Sequence, residues 1–271
     1  MQTAQDISDS PPSPAEPRRI AAVAPAWHAV VLVAGILALS AASASRFSSA
    51  HGAIHPLSTY VVTAVVEVLM LAWALLGLWL KRTPLRSLLG ADFLKLRSLP
   101  LDLGIALLFW IGSLMVLGTL AVTWTVVDAA IHHRPLIPAN GKPDAAQQRT
   151  MQTLVQLAPS NGEEMAAWVW LCVLAGFAEE AVFRGYLQRQ FIAWGRGRAY
   201  VGVVFSALVF GAAHAYEGAR AMFLITVFGV LFSLLVLFRR SLRPAMIAHS
   251  TQDLFVGILL AILKMHHVSL S

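Results

Sequence analysis

Residues 165–188 read MAAWVWLCVLAGFAEEAVFRGYLQ, and this stretch decides the fold. Residues 165–178 hold no charged side chain; Glu179, Glu180 and Arg184 follow, still among apolar and aromatic neighbours. A hydrocarbon core of roughly 30 Å needs about 20 helical residues of this character. The rest of the chain agrees. Its 271 residues are 58% hydrophobic and only 13% charged, with a mean hydropathy of +0.69, whereas soluble domains run at about half apolar and a quarter charged. A single soluble core of this size cannot hide so much apolar surface. Scarce charge excludes a disordered chain, and 18 Gly with 13 Pro exclude a collagen-like one. The single cysteine, Cys172, excludes a disulfide framework and a cysteine-based zinc site. The expected fold is all-α, a polytopic transmembrane helix bundle.

Seven apolar stretches are long enough to span, near residues 24–44, 57–80, 101–127, 165–188, 198–216, 222–238 and 242–263. Residues 1–20 read as a disordered cytoplasmic tail, 21–150 as an N-terminal transmembrane region with its external loop, and 151–271 as a second membrane region. The first span ends in Ala42-Ser43-Ala44, which mimics a signal-peptidase site, but its length favours a retained anchor. One side of the membrane receives Arg18, Arg19, Lys81, Arg82, Arg86, Lys95, Arg97, Arg184, Arg189, Arg196, Arg198, Arg239, Arg240 and Arg243. The other side receives only Arg46, Arg134, Lys142, Arg149, Arg220 and Lys264. The positive-inside rule then puts the N-terminus in the cytoplasm and the C-terminus outside. Because the basic residues sit in short runs between spans, the net charge of +6 reports topology and implies no nucleic-acid partner. Segment 81–100 alternates apolar and basic residues and is expected partly along the membrane surface. A short surface helix is expected around 150–157.

Ionisable groups inside apolar spans are costly and mark candidate sites. They concentrate in the second half: Glu179, Glu180 and Arg184 in span four, His214 in span five, His249 and Asp253 in span seven. The first three spans offer Glu67 and the terminal Asp102 and Asp128. A lone Glu67 reads either as a proton-handling carboxyl or, more commonly, as a protonated or paired structural group. Residues four apart share a helix face, an interval that joins Glu180 to Arg184, Phe210 to His214 and His249 to Asp253. Glu180 precedes Arg184 in the order that favours an intrahelical ion pair. If span four continues as helix to a turn at 195–198, Glu179 and His214 each lie about 17 residues from it. At 1.5 Å per residue both then stand roughly 25 Å deep, level in adjacent helices.

Two chemistries suit this set. Glu179 with His214 polarises a water for attack on a carbonyl, while His249 and Asp253 stabilise the oxyanion or protonate the leaving amine, Asp253 orienting the imidazole. Alternatively His214, His249 and Glu179 hold a divalent metal such as zinc in an open three-ligand site. The helical His-Glu-x-x-His signature of zinc proteases is missing, and Ser206 and Ser250 lack the glycine-flanked elbow of a serine nucleophile.

Glu179-Glu180-Ala-Val-Phe-Arg184, Phe210-Gly-Ala-Ala-His214 and His249-Ser-Thr-Gln-Asp253 together resemble the ordered motifs of the CPBP intramembrane proteases, also called the type II CAAX prenyl endopeptidase or ABI family. The resemblance covers about residues 165–255. It implies a membrane-embedded endopeptidase, with 151–271 as its catalytic membrane core, in which Glu179 and His214 activate water, His249 and the last motif residue form the oxyanion site, and Glu180 and Arg184 are a supporting pair. It leaves metal dependence open between zinc and metal-free glutamate catalysis. The last position is Asp253 where Asn is also found; an ionised Asp cannot donate to an oxyanion. Eukaryotic members trim prenylated CAAX tails, and bacterial relatives are associated with bacteriocin immunity or protein processing. The expected partners are the lipid bilayer and a membrane-associated protein or peptide substrate, with the chain in a bacterial inner membrane. Two other classes compete: a non-enzymatic immunity or scaffold protein, and a proton-coupled transporter, for which no internal repeat is visible.

Overall fold

The computed structural model describes residues 21–49, 55–90, 92–133, 135–136 and 145–265. The expected tail, 1–20, and the external-loop residues 137–144 lie outside them. The described residues are helical and contain no strand. In chain order they form α1 (Ala26–Ser49), α2 (Pro56–Leu80), α3 (Leu85–Leu89), α4 (Leu99–Ile131), α5 (Ala145–Leu157) and α6 (Gly162–Glu179). A π-helical stretch, Glu180–Leu187, runs on into α7 (Gln188–Trp194), followed by α8 (Ala199–Ala213), α9 (Ala219–Arg239) and α10 (Arg243–Met265). Six helical segments are long and apolar enough to cross a bilayer: 26–45, 56–80, 96–131, 162–194, 219–239 and 243–265. The fifth expected span is realised as α8, whose 15 residues reach only about 22 Å. The chain is an all-α, multi-pass integral membrane bundle.

Local sequence sets the boundaries. Pro56 and Pro100 occupy first-turn positions, where a missing N–H costs nothing. Asn161 caps α6 by accepting from the Glu164 amide at 2.9 Å, and Glu164 reaches back to the Ser160 amide. α7 stops at Gly195-Arg196-Gly197, where Gly197 has φ +84° and Arg196 also turns left-handed. The surface helix expected around 150–157 is α5, and segment 81–100 contributes the short α3 and one turn at Leu96–Ser98.

α6 packs between α2 and α10, α8 against α9, and α4 against α9 and α10. The centre is aromatic, with Phe183, Tyr186, Phe210 and Phe232 buried together. The outer faces are apolar and open, as at Trp79, Leu108 and Phe238, which is the surface a bilayer covers.

Polar ties then fix the helices that the hydrophobic effect cannot orient in lipid. Buried Asp102, at the start of α4, accepts from Arg239 at 2.6 Å and from both Nε (2.7 Å) and Nη2 of Arg243. Arg243 also donates to the Phe93 carbonyl and to Ser98 Oγ, so one cluster joins α4, α9, α10 and the surface segment. At α1, the Gln190 amide accepts from the Val23 and Ala24 amides and donates to the Ala24 carbonyl. His28 Nδ1 meets the Tyr186 hydroxyl at 2.8 Å, and its ring stacks on Trp73 with centroids 4.5 Å apart.

Candidate active site

The site begins with a close crossing of two helices. A Cβ on Gly176 would fall 2.2 Å from Ser250 Oγ, 2.9 Å from the Ser250 amide and 3.0 Å from the Met246 carbonyl. Only glycine lets α6 and α10 approach this far. One turn on, the chain leaves α-geometry at Glu180 and keeps the π form through Leu187, an arrangement frequent at functional positions.

The crossing brings Glu180 to His249. Glu180 Oε1 lies 3.0 Å from Arg184 Nη1 in an ion pair along its own helix and accepts from His249 Nδ1 at 2.9 Å from α10. Both members of the Glu180–Arg184 pair are fully buried. The guanidinium lies 4.1 Å from the Phe210 ring centroid and 5.0 Å from that of Phe232, so two aromatic faces share its charge with the carboxylate. The His249 ring stacks on Phe232 (5.3 Å) and stands edge-on to Phe210 (6.0 Å). Held on both sides, with its Nδ1 proton given to Glu180, the imidazole turns Nε2 toward two acids: Glu179 Oε2 and Asp253 Oδ2, each at 3.7 Å. These separations exceed a direct hydrogen bond. Glu180, not Asp253, therefore orients the imidazole.

His214 ends α8 and hydrogen-bonds through Nδ1 to the Phe210 carbonyl at 2.9 Å. A carbonyl only accepts, so Nδ1 carries a proton, which leaves Nε2 as the acceptor of the neutral imidazole. Its ring centroid is 5.0 Å from that of Phe210, which thus touches both histidines. Among the described residues no hydrogen bond or ion pair joins His214 to Glu179. Beyond α8, the Glu217 carboxyl is pushed above the ordinary carboxylate value by burial, opposed by His214 and by a hydrogen bond from Tyr216.

The structure adds a residue that the sequence left isolated. Glu67, on α2, brings its carboxyl within hydrogen-bonding reach of Glu179. Oε2 of each acid is buried and meets no N–H or hydroxyl donor. Its sequence signal was only that of an acid within a span. Phe232 and the Trp110–Gln252 hydrogen bond (2.8 Å), which ties α4 beside the site, carried no signal at all.

The donor set does not fit a resident metal ion. Among the described residues no three His, Cys, Asp or Glu side chains converge as metal ligands would. His214, His249 and Glu179 do not meet as a three-ligand set in this structure.

Residues 161–255 match the family model described as "Type II CAAX prenyl endopeptidase Rce1-like". The match spans all three motifs and bears out the resemblance read from them; it places residues 161–255 beside a family of proteases. No curated protein and no solved structure matches the chain.

Proposed function

We propose that the chain is an intramembrane endopeptidase that hydrolyses a peptide bond of a membrane-associated protein. The observation that carries this reading is His249, locked by Glu180 on one nitrogen and facing Glu179 and Asp253 with the other. Buried charge of this density has a high cost in a bilayer, and a structural knot would pair its acids directly rather than leave two of them 3.7 Å from an imidazole.

In this mechanism a water beside Glu179 gives one proton to that carboxylate and hydrogen-bonds to the His214 Nε2 lone pair with the other. The resulting hydroxide adds to the carbonyl carbon. The carbonyl oxygen, now anionic, accepts from Nε2–H of a doubly protonated His249, whose second N–H is held by ionised Glu180. Collapse breaks the C–N bond, and the leaving amine takes the proton from Glu179, which restores the base. Asp253 flanks Nε2 and balances the imidazolium charge. Arg184 pairs with Glu180, and Phe210 sets the spacing of the two histidines.

The test needs no known substrate. In the native host, termini of membrane proteins are compared between cells carrying wild type and Glu179→Gln at equal expression. New termini that depend on Glu179 are expected, and their positions give substrate and scissile bond. Identical termini in both, where deleting the gene gives a phenotype that Glu179→Gln rescues, would assign the chain to the scaffold class instead.

A further inference from the structure

Glu67 is the one acidic or basic side chain in α2, and it is 4% exposed. The charged groups acting on it are Glu179, within hydrogen-bonding reach, and Asp253, both acidic. Oε2 of Glu67 and Oε2 of Glu179 are both buried with no donor at hand. A carboxylate has only acceptors, so two ionised carboxylates cannot hydrogen-bond each other, and in a dry site two acids this close share a proton. The contact therefore requires that one of the pair be a carboxylic acid. Between the two, Glu179 has His249 Nε2 within 3.7 Å to favour its charge, and Glu67 has no basic group acting on it.

We propose that Glu67 is a carboxylic acid that donates its proton in a hydrogen bond to the Glu179 carboxylate, and so positions the base of the hydrolysis proposed above. The inference rests on that reading for its role, and on the buried contact for the hydrogen bond itself. Glu67 neither gains nor loses a proton in turnover. Its O–H fixes the Glu179 rotamer on the α2 side, as Glu180 fixes His249 on the α6 side, so both reacting groups are aimed by a neighbouring acid. A purely structural carboxyl between α2 and α6 would serve equally well wherever it met a partner. This one meets the residue to which the motifs give the water.

The experiment uses the full chain in lipid nanodiscs, with two readouts. Infrared difference spectra against Glu67→Gln should show a carboxylic-acid carbonyl stretch in the wild type that vanishes in the variant and shifts in Glu179→Gln. With the substrate found by terminus comparison, Glu67→Leu should lower kcat on the order of 10- to 100-fold at unchanged KM, the effect of losing a hydrogen bond to a charged group. Glu67→Gln, whose amide N–H still donates, should restore kcat to within about threefold of wild type. The proposal is overturned if no acid band depends on residue 67, if Glu67→Leu keeps wild-type kcat, or if Gln fails as completely as Leu. If the band behaves as expected but no cleavage depends on Glu179, the hydrogen-bonded acid stands and the peptidase reading falls.

Discussion

Glu180 holds Arg184 and His249 at once, and a double-mutant cycle separates the two tasks. Arg184→Met removes a buried cation and leaves Glu180 its contact with His249; breaking a buried pair from one side costs about 3–5 kcal/mol, and the surviving imidazole contact puts this variant near the lower end. Glu180→Leu strands Arg184, whose side chain is 1% exposed, and also leaves the His249 Nδ1 proton without an acceptor. It belongs at the upper end, with about 1–3 kcal/mol more for the unpaired donor. Added together the singles predict a loss of roughly 9–11 kcal/mol. The double variant Glu180→Leu/Arg184→Met replaces the pair with apolar groups of similar volume, which is often neutral. It retains only the His249 penalty of about 1–3 kcal/mol. The coupling energy is therefore several kcal/mol in favour of the double. Reversible unfolding in mixed micelles measures it. At about 2–4 °C per kcal/mol for chains of this size, Arg184→Met should melt roughly 6–12 °C below the double-free wild type, and the double should recover much of what Glu180→Leu loses. Cleavage should stay lost in both variants that lack Glu180, because the aromatic contacts hold the ring plane but no other hydrogen bond fixes Nδ1. Additive stabilities, or a double variant that cleaves normally, would refute the argument.

Three further outcomes follow from the geometry. Gly176→Ala meets backbone atoms at 2.9 and 3.0 Å that no rotamer change relieves, so α6 and α10 must part by about half an ångström; kcat should fall on the order of tenfold, given that 1 Å of misplacement costs about 100-fold, and an unchanged kcat would show that the crossing does not set the site. Asp102→Asn leaves Arg239 and Arg243 without their shared counter-charge and should lower unfolding stability by about 3 kcal/mol, whereas a change under about 1 kcal/mol would mark the cluster as solvent-relaxed. Burial raises the Glu217 carboxyl above its ordinary value of 4.5, so between that value and the folded one the native state binds more protons than the unfolded state. Stability then falls as pH rises through this window. Glu217→Gln should flatten that slope in pH-dependent melting, and parallel wild-type and variant curves would contradict the assignment.

The bundle was legible in the sequence because span length and hydropathy are local properties, and all seven apolar stretches emerge as helices. The grouping of Glu179, Glu180, Arg184, Phe210, His249 and Asp253 was legible for the same reason: the four-residue interval is a property of one helix. Which nitrogen meets which acid was not. Helix arithmetic assigned Asp253 to His249 because both lie on α10, yet the 2.9 Å partner is Glu180 from across the Gly176 crossing. The π-helical stretch altered the phase assumed for span four, and no residue type in 180–187 announces it. Asp102 was noted as the end of a span; its union with Arg239 and Arg243 is tertiary and left no mark on spacing.

The family match ends where the first half of the chain begins to matter. Residues 161–255 contain the motif residues, but their geometry depends on helices outside that segment. α2 applies Glu67 to Glu179, α4 joins Gln252 through Trp110, three residues from His249 and next to Asp253, and Asp102 anchors the start of α10 through Arg243. α1 holds Tyr186 and Gln190 at the far end of the π-helical stretch through His28 and the Val23 and Ala24 amides. Each tie is made by one or two polar side chains on a largely apolar helix. In a bilayer such contacts, with close packing, must do the orienting that hydrophobic burial does in water. The outward faces of α2 and α4 can then vary freely among apolar residues while these few inward positions cannot, so a chimera that keeps 161–255 and replaces the first half with generic apolar spans would retain every motif and lose the alignment of Glu179.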